Sequence, residues 1–269
     1  MRIGLYQFAG SGDVPRNQAA ILRGIAAARA QGVRLLVFQE CAVCGYPRVE
    51  ASTDLDSMDH VAIERCVSLV QQKAKEAGLY IALGTIRREN AAWYNSILLF
   101  GPEGERIGHY DKRALWGADK DIFTRGNSPG VFVVDGIVVG LRICFEVRFP
   151  EYFRELYKQQ VQLCCVSLCD VAEGTEDASQ RSRIIAAHLL TRAVENGMVV
   201  ASVNSLSRPQ TAPTAVFDVN GQVVASAQAD QEELLVYDYK QPEMSFGLQG
   251  RHENIALLLG ECAVDKAAP

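Results

Sequence analysis

The stretch GLRICFEVRFPEYF, residues 140–153, changes character at a single residue. Up to Ile143 it is apolar and reads as the end of a strand. From Cys144 onward it turns charged, and Pro150 suits the first turn of a helix running through Tyr157. Upstream, GVFVVDGIVVGLRIC reads as two apolar strands joined at an Asp135–Gly136 turn. Strand, corner and helix in this order are the unit from which layered α/β domains are assembled, and they leave a thiol at the corner.

The rest of the chain repeats that style. RIGLYQF (2–8) is an apolar strand. NQAAILRGIAAARAQG (17–32) has helical spacing, with Asn17 expected as N-cap and Gly32 as the stop. VRLLVFQE is a buried strand ending at Glu40. Residues 58–77 place Ile63, Val67, Val70 and Ala74 on one helical face, closed by Gly78. LYIALGTI is a further strand, and NSILLFGPEGERIGHYDK a hairpin around GPEG. VQLCCVSL (161–168) and MVVASVN (198–204) read as strands on either side of a helix over 179–197, with Ser179 expected as its cap. A hairpin forms around Asn220–Gly221, and ELLVYDY closes the core. Alternating strands and helices with no low-complexity linker predict one α/β domain over residues 1–269. The tail, 246–269, has no periodic partner and is expected to cover an interface.

Bulk composition narrows the function. With 48% hydrophobic and 22% charged residues, the 269-residue chain can bury a sizeable core. A net charge of −5 offers no basic surplus for nucleic acid or an anionic membrane surface. No apolar window is long enough to span a bilayer, and MRIGLYQFAG does not read as a signal peptide. Eight cysteines without such a signal imply free thiols and a cytoplasmic setting. His60, His109, His188 and His252 are scattered, so a histidine-based metal site is not expected. Cys41 and Cys44 form a CxxC pair, read as buried thiols with a redox alternative.

Chemistry in layered α/β folds collects beyond the carboxyl ends of strands. Three candidates stand there: Glu40, Lys112 after RIGHYDK, and Cys144. A thiol at a strand–turn–helix corner meets free helix amides, which is expected to lower its pKa and expose the sulfur. The geometry is analogous to the nucleophile elbow of serine hydrolases. A thiolate needs a base and its oxyanion a positive partner. With histidine scarce, a carboxylate and a lysine are the available pair.

Together these residues resemble the nitrilase, or carbon–nitrogen hydrolase, superfamily. The resemblance rests on FQECAVCGYP (38–47), YDKRALWG (110–117), CFEVRFPE (144–151) and RAVENGMVVASVN (192–204), in that order, and covers residues 3 to about 240. It implies a four-layer αββα sandwich, a Glu40–Lys112–Cys144 triad, and pairing of protomers into a homodimer or higher homo-oligomer. It also implies a second acid after the lysine. In DKDIFTRG (119–126) Asp119 takes that position, with Asp121 as the alternative, and Arg125 replaces a usual proline.

The implied activity is thioester-mediated hydrolysis of a non-peptide carbon–nitrogen bond in a small amide or N-carbamoyl amine, with no cofactor or metal. The backbone N–H of Phe145 is expected to join Lys112 at the oxyanion. A nitrilase acting on nitriles and a non-catalytic small-molecule-binding relative are the alternatives. Tyr46, Trp116, Glu146, Cys169 and Asp170 are expected around the substrate. In CDVAEGTED (169–177) an acid stands where an aromatic residue is common, so a negatively charged wall favouring neutral or cationic substrates is expected. Arg148 and Glu151 are expected in a salt-bridge network at the corner, and Arg192, Glu195 and Asn196 in packing or dimer contacts.

Overall fold

Strands buried on both faces read as unbroken apolar runs, and here each run splits cleanly between two cores. The computed structural model describes residues 1–172, 177–243 and 245–258. In β1 (Arg2–Gln7) and β2 (Leu35–Phe38), Ile3, Leu5, Leu35 and Val37 face one side, while Tyr6, Leu36 and Phe38 face the other. The second group packs on helices α1 (Val14–Ala30) and α2 (His60–Ala77). The strands β3 (Tyr80–Glu89), β4 (Ala92–Phe100) and β5 (Arg106–Asp111) complete the first sheet together with β12 (Glu233–Asp238), in the order β12-β1-β2-β3-β4-β5.

After a single turn α3 (Asp119–Ile122) come β6 (Val131–Val134), β7 (Ile137–Ile143), α4 (Pro150–Lys158), β8 (Leu163–Ser167), α5 (Ala178–Asn196), β9 (Val199–Val203), β10 (Ala215–Phe217) and β11 (Val223–Ser226). Their sheet runs β11-β10-β9-β8-β7-β6. Leu141, Ile143, Leu163, Cys165, Val199 and Ala201 meet the inner face of the first sheet. Cys164, Val166 and Val200 pack outward on Phe153 and Leu156 of α4 and on Ile185 and Leu189 of α5. Two sheets face to face with helices outside make the four-layer αββα sandwich. The last described helix, α6 (Phe246–Leu258), packs locally: Leu248 is buried, and His252 stacks on Tyr157 at 5.4 Å. The part of the expected interface tail beyond residue 258 lies outside the described residues.

Several local readings are corrected. Asp13, not Asn17, caps α1, accepting from the Arg16 N–H at 3.1 Å. Asn17 is buried and ties Ser11 to the Val43 carbonyl instead. Asp177, not Ser179, caps α5. A hairpin joins β3 to β4 through Asn90 and Ala91, both at positive φ. Asn-Ala lacks the glycine that marks such turns in sequence, whereas Asp135–Gly136 carries it. Arg148 and Glu151 do not build the corner network. Glu155 does, bonding Arg113 at 2.6 Å and Arg142 at 3.2 Å.

Parallel pairing of β1 with β2, β2 with β3, β7 with β8 and β8 with β9 aligns the carboxyl ends of these strands. Glu40 and Cys144 emerge at that rim. Gly84 in β3 lets the chain leave β2 there, because a Cβ at this position would stand 2.0 Å from the Gln39 carbonyl oxygen. Replacing Gly84 by Ala is therefore expected to destabilise the fold by about 1–3 kcal/mol or more, read as a lowered urea midpoint. An unchanged midpoint would mean that the Gln39–Cys41 backbone is free to shift.

Candidate active site

Cys144 is the first residue after β7 and has φ +42, a left-handed conformation for a residue with a side chain. Such a conformation costs on the order of 1–3 kcal/mol and persists only when its surroundings hold it. Glu146 does the holding. Its carboxylate accepts from the N–H groups of Ile143 (2.7 Å), Arg113 (2.7 Å) and Ala114 (3.3 Å) and from the Tyr110 hydroxyl (2.7 Å). The expectation that Glu146 touches substrate is thereby corrected. It is fully buried and lies outside the cavity lining, with its oxygens committed to the backbone on both sides of the corner.

Lys112 leaves the end of β5 and is 1% exposed. Its ammonium donates to Glu40 Oε1 at 2.9 Å and to Asp119 Oδ2 at 2.7 Å, and it lies 5.3 Å from the Tyr46 ring centre. Asp119 also accepts from the Tyr46 hydroxyl at 2.6 Å and the Trp116 N–H at 3.2 Å. Of the two acids weighed from sequence, Asp119 is the one on Lys112, whereas Asp121 is exposed. Glu40 is fixed from three directions: Lys112, the Asn95 side chain at 2.7 Å on Oε1, and the Cys169 N–H at 3.0 Å on Oε2.

Charge and burial set the protonation states. Burial pushes the Glu40 carboxyl above its ordinary range, with Lys112 opposing and Asp119 adding to the rise. For Lys112 burial favours the neutral amine, but Glu40, Tyr46 and Asp119 outweigh it and hold the ammonium above its usual value. Burial and the Glu40 charge raise the Cys144 thiol, and Lys112 and the Cys169 N–H only partly offset them. This corrects the expectation of a thiol acidified by helix amides. A single 3-10 turn follows Cys144 before α4 begins at Pro150, and two carboxylates lie nearby. Burial and charge here favour the neutral thiol over the thiolate.

Cys144 and Lys112 open into one cavity of about 480 Å³, within the size range of small-molecule sites. Tyr46, Val49, Phe145, Val171 and Ile184 give it apolar walls, and Trp116, 53% exposed, stands at its edge. The Phe145 ring is part of this wall, 5.0 Å from Trp116 and with the Arg148 guanidinium 5.7 Å from its centre. Cys169 and Asp170 line the cavity as expected from sequence. Asp170 is not a bare negative wall, however. Arg181 pairs with it at 3.0 Å and the Thr211 hydroxyl donates to it.

Asn95, Arg181 and Thr211 were not singled out from sequence. For Asn95 a signal existed: an amide in an otherwise apolar strand, buried at 1% exposure, has to be satisfied by a partner. Cys41, at 3.7 Å from Asn95 Oδ1, braces it from behind, which gives one half of the CxxC pair a packing role. Cys44 is buried too.

The family model for carbon–nitrogen hydrolases matches residues 2–245. A bifunctional nitrilase/nitrile hydratase from Lupinus angustifolius is 26% identical over 75% of this chain, and the match spans 60% of that relative's own length. An (R)-stereoselective amidase from Pseudomonas sp. is 27% identical over 76% of this chain and 70% of its own. Among solved structures, a mutant amidase from Nesterenkonia sp. AN1 superposes with a TM-score of 0.79 at 24% identity, covering 96% of each chain. That crystal carries the acetamide moiety of fluoroacetamide covalently added at the active site cysteine. With its sandwich fold and this match, the chain belongs to the carbon–nitrogen hydrolase family.

Replacing Glu146 by Gln removes the charge and turns an amide N–H₂ toward backbone donors. The expected cost is about 3 kcal/mol of stability, measured by urea unfolding. A substrate contact would instead appear as a raised KM with stability unchanged.

Proposed function

We propose that this protein hydrolyses small amides or N-carbamoyl amines through a thioester on Cys144. The observation that carries this reading is the buried Lys112 ammonium, held by Glu40 and Asp119 on the wall of the cavity that contains the Cys144 sulfur. The covalent adduct on the cysteine of the Nesterenkonia amidase supports it.

In this mechanism Glu40 takes the thiol proton as Cys144 attacks the substrate carbonyl carbon. Its raised pKa makes Glu40 a stronger base than an exposed carboxylate. Lys112 faces the developing oxyanion, and the Phe145 N–H, next after the nucleophile, is the second donor; one such donor is worth on the order of 10²–10³ in rate. The tetrahedral intermediate collapses as Glu40 returns the proton to the departing nitrogen, which releases ammonia or an amine. Glu40 then deprotonates a water that attacks the thioester carbon; the C–S bond breaks, Glu40 returns the proton to the Cys144 sulfur, and the acid product departs. Asp119 is a positioning residue that keeps Lys112 charged and aimed.

The apolar walls suit a short acyl group. Because Asp170 is paired with Arg181, its charge does not by itself select against an anionic substrate. We further propose that the protein acts as a homodimer. Phe246, 94% exposed, and Leu258, 85% exposed, leave apolar side chains at the two ends of α6 that a second copy would cover, and light scattering at the mass of one chain would reject that assembly. Among the described residues no helix is long and apolar enough to cross a membrane.

An ammonia-release screen over short-chain amides, ω-amides, N-carbamoyl amines and nitriles tests the reaction. Turnover of amides with nitriles untouched is the expected pattern, and nitrile turnover would favour the nitrilase alternative. Cys144→Ala is expected to bring release down to background with the melting temperature preserved. Near wild-type turnover by that variant would defeat the assignment. In kcat/KM against pH, the acid limb should lie above the ordinary glutamate value near 4.5, since Glu40 must be ionised to act and burial raises its pKa. A limb at or below that value would remove Glu40 as the base.

A further inference from the structure

A second sulfur shares the cavity with the nucleophile, and the proposed hydrolysis makes no use of it. Cys144 and Cys169 both line the wall. They follow neighbouring parallel strands, with Ile143 of β7 opposite Ser167 of β8. Cys144 is the residue after Ile143, and Cys169 is the second after Ser167, so both leave adjacent strands, about 4.8 Å apart, just beyond a directly paired position. Disulfides bridge Cα separations of about 4.4–6.8 Å. The Cys169 N–H donates to Glu40 Oε2 at 3.0 Å, so one carboxylate stands between the Cys169 backbone and the cavity wall that carries the Cys144 sulfur.

The surroundings supply proton acceptors for both sulfurs. Glu40 serves Cys144. Burial raises the pKa of the Cys169 thiol, and so does the Glu50 carboxylate, which is held by the Tyr46 N–H at 2.8 Å and by the Ser205 hydroxyl. Access is selective: Cys41, Cys44, Cys66, Cys164, Cys165 and Cys169 are buried, and Cys144 alone among the described cysteines is partly open. An oxidant entering the cavity therefore meets Cys144 first.

We propose that Cys144 and Cys169 form a redox modification site, in which hydrogen peroxide oxidises Cys144 and Cys169 resolves it into a disulfide that reversibly closes the site. In the first step the Cys144 sulfur attacks one peroxide oxygen and the O–O bond breaks. The sulfur becomes a sulfenic acid, and the other oxygen leaves as water with the thiol proton carried by Glu40. In the second step the Cys169 sulfur, its proton taken by Glu50, attacks the Cys144 sulfur. The S–O bond breaks, the oxygen leaves as water, and the S–S bond forms. A dithiol reductant supplies two electrons and restores both thiols. Without a resolving partner the sulfenic acid proceeds with excess peroxide to sulfinic acid, which thiols do not reduce.

The test treats the full chain with hydrogen peroxide, then with dithiothreitol, and follows Cys144 by iodoacetamide labelling and peptide mass spectrometry. The expected result is loss of labelling, a Cys144–Cys169 linked peptide, and recovery of most of the labelling on reduction. In Cys169→Ala, excess peroxide is expected to drive Cys144 to sulfinic acid, with labelling not restored by dithiothreitol. Should that variant not fold, the linked peptide in the wild-type chain decides alone. A wild-type chain that gives sulfinic acid without a link, one in which Cys144 resists peroxide, or reversible protection that persists in Cys169→Ala would each overturn the proposal. Because linkage is read by mass, the result is independent of whether any amide is turned over.

Discussion

One buried cation organises this site. The Lys112 ammonium, removed from water, is tolerable only because two carboxylates meet it within hydrogen-bonding distance. Neither acid is tolerable in that interior without the cation. Removing one partner of such a pair typically costs about 3–5 kcal/mol, since the remaining charge stays buried and unmatched. The three side chains come from the end of β2, the end of β5 and the turn α3, so their mutual requirement fixes how these segments meet. Asn95, Tyr46 and the Cys169 N–H then use the remaining lone pairs of the two acids, and little freedom is left for either carboxylate to rotate.

A second carboxylate system holds the Cys144 corner. Glu146 joins the Ile143 N–H on one side to the Arg113 and Ala114 N–H groups on the other. The strained backbone of Cys144 is thereby tied to the segment that carries Lys112. The Cys144 corner and the Lys112 cation are positioned against each other through buried backbone hydrogen bonds, the kind least able to exchange with water. Two buried acids far apart in the chain thus have separate surroundings: Glu40 is paired with the Lys112 ammonium, and Glu146 is committed to the backbone of the Cys144 corner.

The fold was legible where pattern and period agree. The cores appear in strands such as LLVF (35–38) as unbroken apolar runs, and Gly78 and Gly197 stop their helices at positive φ as read. The β3–β4 hairpin was missed because an Asn-Ala turn carries no glycine signal, and the caps of α1 and α5 were misplaced because several oxygen-bearing side chains compete near each start. At the site, Glu40, Lys112 and Cys144 stood out as strand-end residues, and the choice between Asp119 and Asp121 had to wait for geometry. Glu146 was misjudged because proximity in sequence to the nucleophile does not say which way a side chain points, and here it turns inward to bare N–H groups.

By itself the sequence determined the layered architecture, the order of its elements and the residue types available for chemistry, since these follow from local periodicity and from which side chains end each strand. Only the tertiary structure decided which charges neutralise one another. Arg181 on α5 cancels Asp170 beyond β8, and Cys169 and Cys144 come from adjacent strands to line one cavity. Coulomb interactions and hydrogen bonds depend on separation in space, and residues brought together by parallel pairing carry no mark of that neighbourhood in the order of the chain.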